Sequence, residues 1–177
     1  FRHEYERETA ESQKALLGYL MMTANDALMR LLSTEWLAPK LSRPGTELTY
    51  DALEEALDDL AEESPQINEW ADSTRTRIMQ HYLGAIRDFG LAEGVQPKRV
   101  VRPRIGDRPI AFAARLSMLQ GLSGQELVTS DWFRLFGFDA GEAVNRLLDL
   151  NAAGLAQVRV RGDVIDIEFA EEVESGD

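Results

Sequence analysis

From Tyr5 to about Thr23, the residues Ala10, Leu16, Leu17, Leu20 and Met21 recur at helical spacing, and Ala27, Leu28, Leu31, Leu32 and Leu37 continue the stripe beyond Asn25 and Asp26. The pattern predicts two consecutive helices, or one kinked at Asn25-Asp26. Leu41 to Thr46 contains Pro44-Gly45 and reads as a loop, after which Thr49 caps a run with Leu53, Ala56, Leu57 and Leu60 inward. The opposite face of that run carries Glu54, Glu55, Asp58, Asp59, Glu62 and Glu63, the composition of a solvated helix face or of a docking surface for a basic partner. After Ser64-Pro65 and Trp70, a helix starting near Asp72 or Ser73 is predicted to bury Ile78, Tyr82, Ile86 and Phe89 and to stop at Gly90. Leu91 to Pro97 reads as a loop or turn, and Arg99 to Arg102 as a short extended segment ended by Pro103.

A further helix is predicted from about Pro109 to Leu119, with Ile110, Phe112, Ala113, Leu116 and Leu119 on its apolar side, and Gly121 to Gly124 breaks it. Ser130 is placed to cap a helix over Trp132 to Phe136, and Asp139 to cap a longer one holding Ala143, Val144, Leu147, Leu148 and Leu150, closed by Gly154. Two alternating strands, Val158–Arg161 and Val164–Phe169, turn at Gly162-Asp163. Helix, turn, helix, hairpin is the order of a winged helix. Gly90-Leu91-Ala92 and Gly154-Leu155-Ala156 hold the same place after two helices, an internal echo that supports two winged-helix-like units packed together. The expected fold class is therefore mainly α, a helical bundle with winged-helix-like units. Its divisions are an N-terminal helical region with the acidic helix (1–65), a central basic winged-helix-like unit (66–120), a C-terminal winged helix (121–170) and an acidic tail (171–177), which is expected to be disordered.

Composition narrows the chemistry. A chain of 177 residues, 44% of them apolar, makes one globular domain or two small ones sharing a core. No apolar run approaches the roughly 18 residues of a membrane span, so no membrane partner is expected. The absence of cysteine excludes disulfide scaffolds, thiolate zinc sites and cysteine nucleophiles, and points to a cytoplasmic setting. A histidine metal site or a Ser-His-Asp triad would have to rest on His3 or His81. Gly121-Leu-Ser-Gly124 lacks the lysine and the preceding strand of a phosphate loop. Gly106-Asp107-Arg108-Pro109 lacks a second metal carboxylate and reads as a turn before a helix. Asp58, Asp59, Glu62 and Glu63 share a helix face but have no neutral ligands, so they would hold a divalent cation only loosely. The expectation is a protein that is not an enzyme and carries no cofactor or metal.

Charge then singles out one region. The net charge of -12 opposes casual nucleic-acid binding, yet it is segregated. Residues 1–72 hold 6 basic and 16 acidic side chains and residues 116–177 hold 4 and 12, whereas residues 73–115 hold 9 basic and 3 acidic. One reading pairs this basic block with the acidic flanks in the folded protein. The sharper reading is a double-stranded DNA contact. Thr74, Arg77 and His81 share a helix face with Arg75 adjacent, and Lys98, Arg99, Arg102, Arg104 and Arg108 follow on a wing or arm. Arginine's planar fork suits phosphate and guanine. On the C-terminal hairpin, Asp166 and Glu168 are expected to neutralise Arg159 and Arg161 across the strands. Arg99, Arg102 and Arg104 show no such acidic strand, which favours the central block as the contact surface.

The run Trp70, Ser73-Thr74, Leu83, Asp88-Phe89-Gly90-Leu91, preceded by a helical half and followed by Arg102-Pro103, resembles BrxA proteins, accessory components of BREX bacteriophage-defence systems. Ser130-Asp-Trp132, Phe136-Gly137 and the terminal hairpin are similar to the C-terminal module of longer members. The resemblance implies a non-enzymatic, mainly helical, DNA-binding accessory protein working beside other BREX proteins, among them a methyltransferase, a phosphatase-like protein and large ATPases. Two departures stand out: the chain opens at Phe1, where the family is expected to have preceding helices, and it is more acidic than a free-standing DNA binder needs. That acidity supports a second class, an adaptor that bridges proteins through Glu54 to Glu63.

Overall fold

The computed structural model describes residues 2–170; Phe1 and the acidic tail 171–177 lie outside the described residues. Helix α1 (Arg2–Arg7) leads to α2 (Glu11–Asn25), which buries Leu16, Leu17, Tyr19 and Leu20. The break at Asn25-Asp26 divides two helices. Asp26 leaves helical dihedrals, and its carboxylate accepts from the Met29 backbone N–H at 3.1 Å, capping α3 (Ala27–Leu31). The chain then widens into a π-helical segment, Leu32–Leu37, before α4 (Ala38–Leu41). Five of its six residues are buried, including Ser33 and Thr34.

Strand β1 (Glu47–Leu48) precedes α5 (Tyr50–Glu63), where the Thr49 hydroxyl accepts from the Ala52 N–H as the sequence predicts. After a 3₁₀ turn at Pro65–Glu69 comes α6 (Asp72–Asp88). Its buried set is Met79, Tyr82, Leu83 and Ile86, so the helix sits rotated from the expected stripe and leaves Ile78 and Phe89 half-buried. The extended segment expected over Arg99 to Arg102 begins as β3 (Lys98–Val100), while the expected loop before it contains a strand, β2 (Ala92–Glu93); both join β1 in an antiparallel sheet of order β1-β3-β2. Strands of two and three residues are too short to show alternation, which is why the sheet escapes pattern reading.

The second half contains α7 (Asp107–Leu119), α8 (Gly124–Val128), α9 (Asp131–Arg134), α10 (Ala140–Ala152) and the hairpin of β4 (Ala156–Arg161) and β5 (Val164–Phe169). Asp139 caps α10 by accepting from Glu142 N–H at 2.8 Å. Ser130 stands at the N-cap position of α9 as expected, but its side chain makes no capping bond; its buried hydroxyl meets the Ser117 hydroxyl at 2.9 Å, tying α9 to α7.

The internal echo is visible in three dimensions. α6 and α10 both end in a residue of positive φ, Gly90 at 79° and Gly154 at 68°. Leu91 N–H reaches back to the Ile86 carbonyl at 2.8 Å, and Leu155 N–H to the Leu150 carbonyl at 3.1 Å. These are the same Schellman cap, and only glycine enters the left-handed region without strain. The buried residues Met79, Leu83 and Ile86 precede Gly90 at the same intervals as Ala143, Leu147 and Leu150 precede Gly154. Both helices then feed a hairpin. The buried apolar side chains, from Leu16 to Ile165, form one connected cluster, so the halves share a core.

Candidate nucleic-acid interface

α6 positions the first group of candidate residues. Its inner face is anchored by Tyr82, whose hydroxyl lies 3.1 Å from the Ser33 hydroxyl on the π-helical segment and whose ring meets Trp36 edge-on at 6.0 Å. Burial raises the Tyr82 phenol well above its ordinary value, with the neighbouring Tyr19 adding to the effect; burial raises Tyr19 likewise. A helix held in this way presents its outer face rigidly. Thr74, Arg77 and His81 are exposed along that face, and Arg77 and His81 make no ion pair or side-chain hydrogen bond among the described residues. Both line two adjoining recesses: one of about 580 Å³ with Gln80 and Gly84, and one of about 330 Å³ against Met22, Asp26 and Met29. Arg75 is different. It is only 12% exposed and forms an ion pair with Asp58 on α5, so it fastens the two helices together.

The second group follows the chain through the small sheet. Lys98 Nζ donates to the Val95 carbonyl at 3.1 Å, closing the β2–β3 turn. Arg99 donates to Glu47 at 2.8 Å, and in the strand register it stands between Glu47 on β1 and Glu93 on β2. Arg102 donates to both carboxylate oxygens of Glu142, at 2.6 and 2.7 Å. The expectation that these central arginines lack facing carboxylates is therefore overturned for Arg99 and Arg102. Their partners come from a strand too short to predict and from a helix of the other half. Arg104 remains exposed with no side-chain partner among the described residues, and Arg108 is half-buried in the first turn of α7.

The C-terminal hairpin also corrects its expected pairing. Arg159 does face Asp166, but Glu168 faces Gln157 and Arg161 faces Val164, so only one of the two arginines has an acid in register. The Arg159 guanidinium donates to Gln157 at 2.9 Å.

The candidate residues occupy separate places. Arg102 and Arg104 line a cleft of about 740 Å³ with Phe138, Glu142, Arg146 and Asp149, which shares no lining residue with the recesses around Arg77 and His81. Two side chains outside the expected set hold the backbone that lines this cleft. Gln13 on α2 donates to the Arg104 carbonyl at 2.9 Å and accepts from the Gly106 N–H at 2.6 Å. Arg146 on α10 donates to the Ile105 carbonyl at 2.7 Å and reaches Asp107 at 3.4 Å and Asp149 at 2.5 Å. Together they pin the segment joining the two halves. A glutamine in a helix carries no sequence signal for such a role; Arg146 has one, since it stands as far before Gly154 as Tyr82 stands before Gly90.

Glu54, Glu55, Asp58, Asp59 and Glu62 are exposed along α5, and among the described residues no group of three or more His, Asp and Glu could hold a metal ion. No helix among them is long and apolar enough to cross a membrane. The arrangement offers an ordered set of forked and imidazole donors on one helix, beside carboxylate-held arginines at the base of the sheet.

Comparison with curated proteins and with solved structures gives no match. The family model of BrxA, by contrast, matches residues 1–115, a span that runs from α1 through the small sheet and into α7 and takes in every candidate residue above. The chain belongs to the BrxA family, and so to the components associated with BREX systems.

Proposed function

We propose that the protein is a non-enzymatic, cytoplasmic accessory component of a BREX system that binds double-stranded DNA. The observation that carries this reading is the order α4, β1, α5, α6, β2, β3, with a 3₁₀ turn between α5 and α6 and sheet order β1-β3-β2. That is the order of a winged helix, in which the helix before the hairpin lies in the major groove and the hairpin turn flanks it. Here that helix is α6, and it presents Thr74, Arg77 and His81 outward, with Lys98 at the base of the wing turn. Among the described residues Arg77 has no ion pair to leave before it takes a phosphate or the acceptor edge of guanine.

The test is anisotropy of a labelled mixed-sequence duplex at two salt concentrations. Binding should weaken steeply with salt, and Arg77→Ala should lower affinity by about tenfold, near the middle of the range for one good polar contact to DNA. Equal affinity of Arg77→Ala and the unaltered protein would remove α6 from the interface.

The exposed carboxylates along α5 favour a second reading, an adaptor that bridges proteins without touching DNA. Reversing Glu54, Glu55 and Asp59 to lysine should then abolish capture of other BREX proteins. On the DNA reading the same change leaves capture intact and strengthens duplex binding by removing repulsion.

A further inference from the structure

We propose that Glu142 is a specificity-determining residue. By occupying Arg102 it withholds that guanidinium from nonspecific duplex. This inference rests on the DNA-binding reading above.

Arg102 and Glu142 form a forked pair in which one guanidinium nitrogen donates to both carboxylate oxygens, and each side chain is a little over a third exposed. A phosphate would occupy the same guanidinium edge, so DNA and Glu142 compete for one donor. The helix turn that carries the carboxylate is held in place. The Glu142 backbone N–H is bonded to the Asp139 cap in the first turn of α10, and α10 is itself fixed to the connecting segment by Arg146 on the Ile105 carbonyl.

The internal repeat explains where this carboxylate comes from. In the first half, α6 turns Arg77 and His81 outward. In the second half, α10 occupies the corresponding place, yet its one arginine, Arg146, is bound to the Ile105 carbonyl and its neighbouring acids, and Glu142 meets the arginine of the other half. The same device recurs at Arg99, flanked in register by Glu47 and Glu93, and at Arg75 on Asp58. Carboxylates from three elements thus hold three arginines of the block. Specificity is commonly set by such competing contacts, which cost a generic partner more than they cost the intended one.

The experiment measures mixed-sequence duplex affinity across a salt series for the full chain and for Glu142→Gln, Arg102→Ala, the double variant, and Glu168→Gln. The last removes one charge from an exposed residue that faces Gln157. Glutamine at 142 keeps the helix turn and loses the charge, and unfolding midpoints verify that each variant folds. Glu142→Gln should bind about threefold more tightly at low salt, and its log K against log salt should steepen by about 0.9, the signature of one added phosphate contact. Arg102→Ala alone should change affinity by less than about twofold, and in the double variant it should cancel the gain. Glu168→Gln should leave the slope unchanged. The proposal is overturned if Glu142→Gln binds with unchanged affinity and slope, if Glu168→Gln produces the same gain, or if Arg102→Ala alone weakens binding as much as Arg77→Ala. In those outcomes the unaltered protein still binds duplex and the DNA reading stands. If neither the unaltered protein nor Glu142→Gln binds at any salt, the DNA reading falls together with the proposal.

Discussion

Gln13 joins the halves of the molecule through two hydrogen bonds made by one amide, and its removal has a calculable cost. Its Nε2 donates to the Arg104 carbonyl at 2.9 Å and its Oε1 accepts from the Gly106 N–H at 2.6 Å. At about 0.5–1.5 kcal/mol net for each bond, Gln13→Ala should cost about 1–3 kcal/mol, a fall in Tm of roughly 2–12 °C for a chain of this size. The structure supplies a sharper form of the test. A methyl group on Gly106 would stand 2.7 Å from Gln13 Oε1, although the backbone there, at φ -82°, suits any residue. Gly106→Ala should therefore act by pushing the Gln13 amide out of its bonds, costing a similar amount. In a Gln13→Ala background the same substitution should be close to neutral, giving a coupling of about 1 kcal/mol or more by calorimetry or denaturant titration. If the two costs simply add, Gln13 does not bridge the segment.

Three further outcomes can be checked on the same material. Gly84 lies within α6, and a Cβ there would meet nothing within 4 Å, so Gly84→Ala should raise stability by about 0.5–1 kcal/mol, read as a higher Tm. Tyr19 and Tyr82 are held protonated by burial, so their folded pKa values lie above the unfolded value near 10; stability should be complete below about pH 10 and be lost as pH rises above it. Alkaline unfolding followed by circular dichroism should accordingly become shallower in Tyr19→Phe. Gly124→Ala should destabilise the C-terminal hairpin by more than 1 kcal/mol, because φ is +53° and its Cβ would stand 2.7 Å from the Asp163 carbonyl oxygen; an unchanged Tm would show that the hairpin turn moves freely.

What was legible in the sequence were features whose cause is local. Thr49, Asp139 and the glycine stops at Gly90 and Gly154 act within a turn of their own position, and β4 and β5 are long enough to alternate around Gly162-Asp163. The elements missed depend on distant partners. The π-helical segment places Ser33 against Tyr82, and the three-stranded sheet exists only because Glu47-Leu48 meets Arg99 and Lys98 from across α5 and α6. Ser130 misled because serine before an apolar run reads as a cap, whereas a buried serine opposite it, Ser117, claims the hydroxyl.

The same division governs the candidate interface. Counting charges along the chain finds the basic block of residues 73–115 correctly, but the count says nothing of which acids fold against it. Arg99 reaches Glu47 in the N-terminal acidic arm, Arg75 reaches Asp58 in the same arm, and Arg102 reaches Glu142 in the C-terminal one. The first opening reading therefore holds for Arg75, Arg99 and Arg102, which the flanks hold where the elements pack, whereas Arg77 and Arg104 make no ion pair among the described residues. Since long-range attraction of a duplex depends on summed charge and contact depends on free donors, a protein of this charge distribution should be a poor collector of DNA from bulk solution and depend on a few contacts once there. Within a multi-protein assembly that is a workable division. On the DNA-binding proposal, the partners would supply the attraction and α6 the local contact.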